Sequence, residues 1–151
     1  MKLSVLMPAY NEAATLVEAI RRVQSIDLQK EIVVVDDGST DNSREILHRL
    51  EKKSKGAQDP ANQIKIVYQP VNQGKGAAIR TGLSHVTGDV VIIQDADLEY
   101  GSQDYHTLME PITSGNADIV YGTRFYGSGP HRVLFFGTTS AINSSPLLPT
   151  S

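Results

Sequence analysis

Val90-Val91-Ile92-Ile93-Gln94-Asp95-Ala96-Asp97-Leu98-Glu99 is an apolar run that ends in three carboxylates, each two residues from the next. The run reads as a strand, and a strand that ends in acids is rarely structural. Two unit charges about 4 Å apart repel by roughly 4 kcal/mol at an effective dielectric of about 20, so the cluster calls for a cation or for protons. Oxygen-only ligands suit Mg²⁺ or Mn²⁺, which keep one or two protein carboxylates and take their remaining ligands from water and substrate phosphates. The stretch therefore predicts a divalent metal and a phosphorylated substrate. Its bland alternative is an acidic strand end exposed to water.

The same pattern recurs outward from this stretch. Residues 3–7 are an apolar run that breaks at Pro8, and Asn11 opens a helical pattern with Leu16, Ala19, Ile20 and Val23 on one face. Residues 32–35 form a second run ending in Asp36-Asp37-Gly38-Ser39, with Ser39 or Thr40 as cap for a helix carrying Ile46, Leu47 and Leu50. Residues 64–68 read as a third strand, 77–86 as a third helix, 90–93 as the fourth strand and 119–121 as a fifth. A short helix is expected over 104–112, weakened in its last turn by Pro111. Alternating strands and helices predict an α/β fold, a mainly parallel sheet flanked by helices, with ligands outside the carboxyl ends of the strands. Residues 8–12, 36–39 and 95–99 each follow a strand directly, so three distant segments converge on one crevice.

The chain of 151 residues suits one domain. A formal charge of −3 gives no general attraction to nucleic acid or an anionic membrane, so phosphate recognition must be local, and no nucleic-acid partner is expected. The absence of cysteine excludes disulfides and thiolate metal sites. Without a secretory signal or about 18 consecutive apolar residues, a soluble, cytoplasmic chain is expected, and the sequon Asn143-Ser144-Ser145 reads as chance. Residues 52–62 read as a solvated loop, and the Ser/Thr/Pro-rich residues 137–151 as a disordered tail. His48, His85, His106 and His131 show no metal spacing. His131 and Arg132, downstream of Gly122-Thr123-Arg124, are cationic candidates for a substrate phosphate.

Asn72-Gln73-Gly74-Lys75-Gly76-Ala77-Ala78 is a glycine-punctuated turn opening a helix, where free N–H groups and the helix dipole favour an anion and Lys75 adds a mobile charge. It lacks Walker A spacing, and its alternative reading is a tight turn needing positive φ. Asp36-Asp37-Gly38-Ser39 is either a charged turn with a helix cap or the place where an aspartate accepts a hydrogen bond from a nucleobase.

Taken in order, Pro8-Ala9-Tyr10-Asn11-Glu12, Asp36-Asp37-Gly38-Ser39, Asn72-Gln73-Gly74-Lys75-Gly76, Asp95-Ala96-Asp97-Leu98-Glu99 and Gly122-Thr123-Arg124-Phe125 resemble the motifs of family 2 glycosyltransferases. The resemblance is strongest to the polyprenyl-phosphate (dolichol-phosphate) mannosyl- and glucosyltransferase branch and covers residues 3–136. It implies a GT-A fold, a nucleoside diphosphate sugar donor such as GDP- or UDP-hexose, Mg²⁺ or Mn²⁺ as cofactor, and a polyprenyl phosphate acceptor with peripheral membrane association at the cytoplasmic face. On that resemblance Pro8, Tyr10 and Glu12 border the nucleotide, Asp37 bonds its base, and Gly74, Lys75 and Ala96 join the substrate-binding positions. Asp95, Asp97 and Glu99 would hold the metal, with Asp97 the more direct ligand and Asp95 shared with ribose or sugar. Arg124 would approach the diphosphate or sugar, completing with Asp95 and Asp97 the catalytic set.

The chain departs from the family pattern at Gly101-Ser102-Gln103-Asp104, where a proline-containing stretch is usual, and after Phe136, where family members continue with helices. A C-terminally truncated chain is the expectation, with residues 1–136 as the nucleotide-sugar-binding part. The predicted activity is metal-dependent, inverting transfer of a hexose. Its rivals are a sugar-phosphate nucleotidyltransferase, whose glycine-rich N-terminal loop is missing here, and a nucleotide-sugar-binding fragment without turnover.

Overall fold

A computed structural model describes residues 1–55, 64–98 and 104–122. Residues Met1–Val120 form one compact unit. Its strands β1 (Leu3–Ala9), β2 (Lys30–Asp36), β3 (Ile64–Tyr68) and β4 (Val90–Ile93) make a parallel sheet in the order β3-β2-β1-β4. The helices are α1 (Leu16–Gln24), α2 (Ser43–Lys55), α3 (Lys75–Leu83) and α4 (Tyr105–Thr113).

β1 and β2 are apolar without alternation because both of their faces are covered. On one face Leu3, Val5, Met7, Ile32 and Val34 pack in a cluster with Leu16, Ile20 and Val23 of α1, Leu47 of α2, and Tyr105 and Met109 of α4. On the other, Leu6, Val33 and Val35 pack with Ala78 of α3. α3 can come this close because Gly82 offers no side chain: a Cβ there would lie 2.1 Å from Leu6 Cδ1.

β1 continues through Pro8, where the sequence reads a break. The Leu6 carbonyl accepts the Gln94 N–H just past β4, so by alternation the Pro8 nitrogen points to the same side, beyond the Leu6–Ile93 pair that ends the β1–β4 ladder. No ladder bond is lost. α1 buries Leu16, Ala19, Ile20 and Val23 as the periodicity predicts, but it opens at Leu16, not at Asn11. Asn11 has φ of 55°, a left-handed turn conformation. α2 is entered through Asp41, whose Oδ1 accepts the Ser43 N–H at 2.9 Å, and neither Ser39 nor Thr40 caps it. Lys52 to Lys55 form its last turn instead of a loop. α3 begins at Lys75 and ends at Leu83, earlier at both ends than expected. α4 accommodates Pro111 in its last turn, and the Pro111 carbonyl accepts the N–H groups of Asn116 and Ala117. Residues 119–121 form no strand: among the described residues nothing pairs with them, and Ile119 is 69% exposed. The expected tail and most of the 52–62 loop lie outside the described residues.

A polar staple closes the amino-terminal edge of the sheet. Glu31 accepts hydrogen bonds from Ser4 Oγ at 2.5 Å, the Thr87 N–H at 2.5 Å, Thr87 Oγ1 at 2.8 Å and Lys2 Nζ at 3.0 Å. Burial raises the Glu31 pKa, but these donors together outweigh it and hold the carboxyl down at about 2.

Candidate functional site at the carboxyl ends of the strands

The chain passes from β1 to β2 and β3 on one side, then returns to place β4 on the other side of β1. The strand order therefore reverses between β1 and β4, and in an open parallel sheet the crevice above such a reversal is where ligands bind. The segments that follow β1, β2, β3 and β4 all lie at this end.

The loops after β1 and β2 are stapled to each other. Asn11 Oδ1 accepts from the Thr40 N–H at 2.8 Å, Thr40 Oγ1 at 3.3 Å and the Asp41 N–H at 3.2 Å, while the Asn11 N–H donates to Ser39 Oγ at 3.0 Å. The Glu12 N–H donates to Ser43 Oγ at 3.0 Å, and Glu12 Oε2 accepts from Thr15 Oγ1 at 2.9 Å. Pro8 is buried, whereas Tyr10 is 43% exposed.

Asp36 and Asp37 both turn inward. Asp36 is fully buried, paired with Arg44 Nε at 2.6 Å, and Arg44 also donates to the Gln69 carbonyl. Asp37, 2% exposed, accepts the N–H groups of Gln73 and Gly74, each at 2.8 Å, on its two carboxylate oxygens. The turn before α3 thus holds an anion, as its glycines suggested, but that anion is the Asp37 carboxylate of this chain. Gly74 has φ of 89°, so the turn also meets the alternative reading of a backbone that needs glycine. Asp37 reaches the turn because Gly38 lets the two loops touch: a Cβ on Gly38 would lie 2.4 Å from both Val71 C and Asn72 N.

Past β4 the backbone is fixed on both sides of the acids. Gln94 accepts the Tyr105 hydroxyl at 3.0 Å through Oε1 and donates Nε2 to the Asp95 carbonyl at 3.0 Å. Burial pushes the Tyr105 phenol up, so it is a steady proton donor. Ala96 is 2% exposed and packs in the main core. Leu98 has φ of 65°, rare for a branched side chain, and packs against the same core. Asp95 and Asp97 thus flank a buried anchor in a sharply turned loop. Lys75 Nζ lies 2.7 Å from each carboxylate oxygen of Asp95.

Among the described residues no group of three or more His, Cys, Asp or Glu side chains is placed to hold a metal. Glu99, the third acid of the expected set, and Arg124, His131 and Arg132 lie outside the described residues. The donors present nevertheless fit a hard divalent ion: they are carboxylate oxygens, and Asp95 already turns both of its own toward a single cationic group. The structure brings Asp37, Gly74, Lys75 and Asp95 into one connected set. Sequence reasoning missed Arg44 and Tyr105, which sit in α2 and α4 with no local pattern to single them out; only the mature contact shows their use.

The profile of the family described as "Glycosyl transferase family 2" matches residues 4–143. Two curated relatives, from Sodalis glossinidius (strain morsitans) and Edwardsiella ictaluri (strain 93-146), are 37% identical over 123 residues and 39% identical over 116 residues. Both are named undecaprenyl-phosphate 4-deoxy-4-formamido-L-arabinose transferase. The matches cover 79% and 74% of this chain but 36% and 34% of the relatives, so the chain spans about a third of their length. Among solved structures, the mannosyltransferase PcManGT from Pyrobaculum calidifontis, in complex with GDP-Man and Mn²⁺, is 31% identical with a TM-score of 0.58, over 68% of this chain and 29% of that one. With its parallel sheet, flanking helices and acids at the strand ends, the chain has the GT-A fold and belongs to glycosyl transferase family 2.

Proposed function

We propose that the chain is the donor-binding part, spanning residues 1–136, of an inverting, metal-dependent glycosyltransferase that moves a sugar from a nucleoside diphosphate to a polyprenyl phosphate. The observation that carries this reading is the name shared by the two curated relatives, transferases to undecaprenyl phosphate, at 37% and 39% identity. The site supports the donor half independently, since acids and a glycine turn from separate strands meet above the β1–β4 reversal.

In this reading Asp95 and Asp97, with Glu99, would hold Mg²⁺ or Mn²⁺. When bound, such an ion supplies positive charge against the diphosphate as it departs. The remaining work belongs to the chain. Tyr10 and Glu12 border the nucleotide at the end of β1. Asp37 serves the base from the end of β2 through lone pairs beyond those given to Gln73 and Gly74. Lys75 faces the diphosphate, and Arg124 is assigned to the same group by its place in the family motif alone. A phosphate acceptor is ionised at neutral pH, so the chain has no proton to remove and needs no general base. In-line attack by the acceptor oxygen on C1 forms the new glycosidic bond as the bond to the diphosphate breaks, and it inverts the anomeric carbon. Among the described residues no helix is long and apolar enough to cross a membrane. The lipid acceptor would bring the protein to the cytoplasmic face of one.

The test is transfer of radiolabelled sugar from UDP- and GDP-linked donors to undecaprenyl phosphate, with the product anomer read by NMR. Inverted product, lost in Asp97→Asn, is expected. Retained configuration, or full transfer by Asp97→Asn, contradicts the reading.

A further inference from the structure

We propose that Lys75 is the resident counterion of Asp95 and exchanges places with the metal, so that metal entry frees the Lys75 ammonium for the donor diphosphate. The inference rests on the reading of Asp95 as a metal ligand given above. Three observations carry it. Lys75 Nζ is 2.7 Å from both Asp95 oxygens, so the ammonium covers the whole carboxylate, the face a hard cation would use. Lys75 is the first residue of α3, whose first turn holds no acid, so it places a cation at the positive end of a helix dipole where charge is disfavoured. Asp95 offsets that charge from another strand. Finally, the N–H groups of Gln73 and Gly74 are already satisfied by Asp37, so those two are not open to an incoming anion, and the Lys75 ammonium is the charged group that the turn can offer one.

The geometry makes Lys75 a competitor when metal arrives alone and a partner when metal arrives with a diphosphate. The Lys75 side chain is 58% exposed and the Asp95 side chain 25%, so the ammonium can leave without unpacking the core. Two positions for one lysine predict effects of opposite sign, which a purely structural role does not produce.

The experiment follows the electron paramagnetic resonance signal of free Mn²⁺ titrated into the 151-residue chain and into its Lys75→Met, Lys75→Arg and Asp95→Asn variants. Titrations are run without nucleotide and then with UDP or GDP, and each variant's fold is checked by circular dichroism. For Mn²⁺ alone, Lys75→Met is expected to bind about three- to fivefold more tightly than the parent, roughly what an exposed ion pair is worth. Lys75→Arg is expected to stay near the parent. With the nucleotide that supports binding, Lys75→Met is expected to bind more weakly than the parent. If Lys75→Met binds Mn²⁺ alone no better than the parent, while Asp95→Asn weakens Mn²⁺ binding with nucleotide, the exchange is wrong and the metal reading stands. If Asp95→Asn leaves Mn²⁺ affinity unchanged with and without nucleotide, the metal reading itself fails and takes the exchange with it.

Discussion

Asp37 is the residue on which two loops depend, because its buried carboxylate satisfies two backbone N–H groups, Gln73 and Gly74, that lie 36 and 37 positions away. Truncation to alanine leaves the Gln73 N–H without its acceptor and the Gly74 N–H with only Asn72 Oδ1, at 3.0 Å, and hydrogen bonds to a charged group are worth about 1.5 to 3 kcal/mol. We expect Asp37→Ala to lower stability by about 2 to 3 kcal/mol in urea unfolding and to weaken nucleotide binding as well. Asp37→Asn, which keeps one acceptor oxygen, is expected to lose less of each. An Asp37→Ala chain of parental stability would show that the turn does not need this anchor. The neighbouring Gly38 is more constrained still, with φ of 72° and backbone of Val71 and Asn72 where a Cβ would stand. Gly38→Ala is expected to cost at least about 1 to 3 kcal/mol, the range for a strained backbone, before the clash is counted. The sequence made Asp37 and Gly38 conspicuous as part of an acidic turn, yet it offered no means of seeing that the carboxylate faces the next glycine turn. Pairings across such separations follow from strand order, which local pattern does not encode. Arg44 and Tyr105 stayed illegible for the same reason.

At the scale of elements, apolar runs located the strands well, and residues 64–68 and 90–93 have the boundaries the pattern predicts. Helix starts were harder to read because their partners come from elsewhere. Asn11 looked like the opening of α1, but its side chain is engaged with Thr40 and Asp41 of the following β–α loop, which holds it in a left-handed turn. This separates two effects in one position. Asn11→Gly keeps the conformation and loses the side-chain bonds, with an expected cost of about 1 kcal/mol, whereas Asn11→Ala also strains the backbone and is expected to cost about 1 to 3 kcal/mol more. Equal stability for the two variants would mean that φ at Asn11 carries no cost. At the opposite end of the sheet, the Glu31 staple ties β1, β2 and the segment before β4. Its pKa falls from 4.5 to about 2 on folding, so its contribution is complete above about pH 4.5 and is lost as pH falls toward 2. At about 1.4 kcal/mol per unit the shift corresponds to something on the order of 3 kcal/mol. Glu31→Gln is expected to remove part of the parent's loss of stability between pH 4.5 and 2, and parallel pH profiles for the two chains would rule the staple out as a source.

The whole molecule turns the order β3-β2-β1-β4 into a site, because the reversal beside β1 sets the end of β1 against the end of β4 while β2 and β3 contribute from the flank. Alternation of strands and helices was enough to read the fold class and the end of the sheet that matters. It was not enough to deny a strand to residues 119–121, since three apolar residues become a strand only where a ladder partner waits, and among the described residues none does. In the described site, positive charge from Lys75 and negative charge from Asp95 are balanced within the chain, and Asp37 is balanced by backbone N–H groups. A diphosphate brought in alone would upset that balance by adding anions beside Asp95 and Asp97, and a divalent ion brought with it would restore the balance. Donor and metal are therefore expected to bind as a unit and to stabilise the fold jointly. At a hundredfold excess over Kd such binding adds about 2.7 kcal/mol to the folded state. The measurement is the melting temperature of the 151-residue chain with a UDP- or GDP-linked sugar, with Mn²⁺, and with both. A rise with both that clearly exceeds the sum of the separate rises is expected, and it should disappear in Asp97→Asn. The same rise from nucleotide sugar in excess chelator would mean that this crevice binds its donor without a metal.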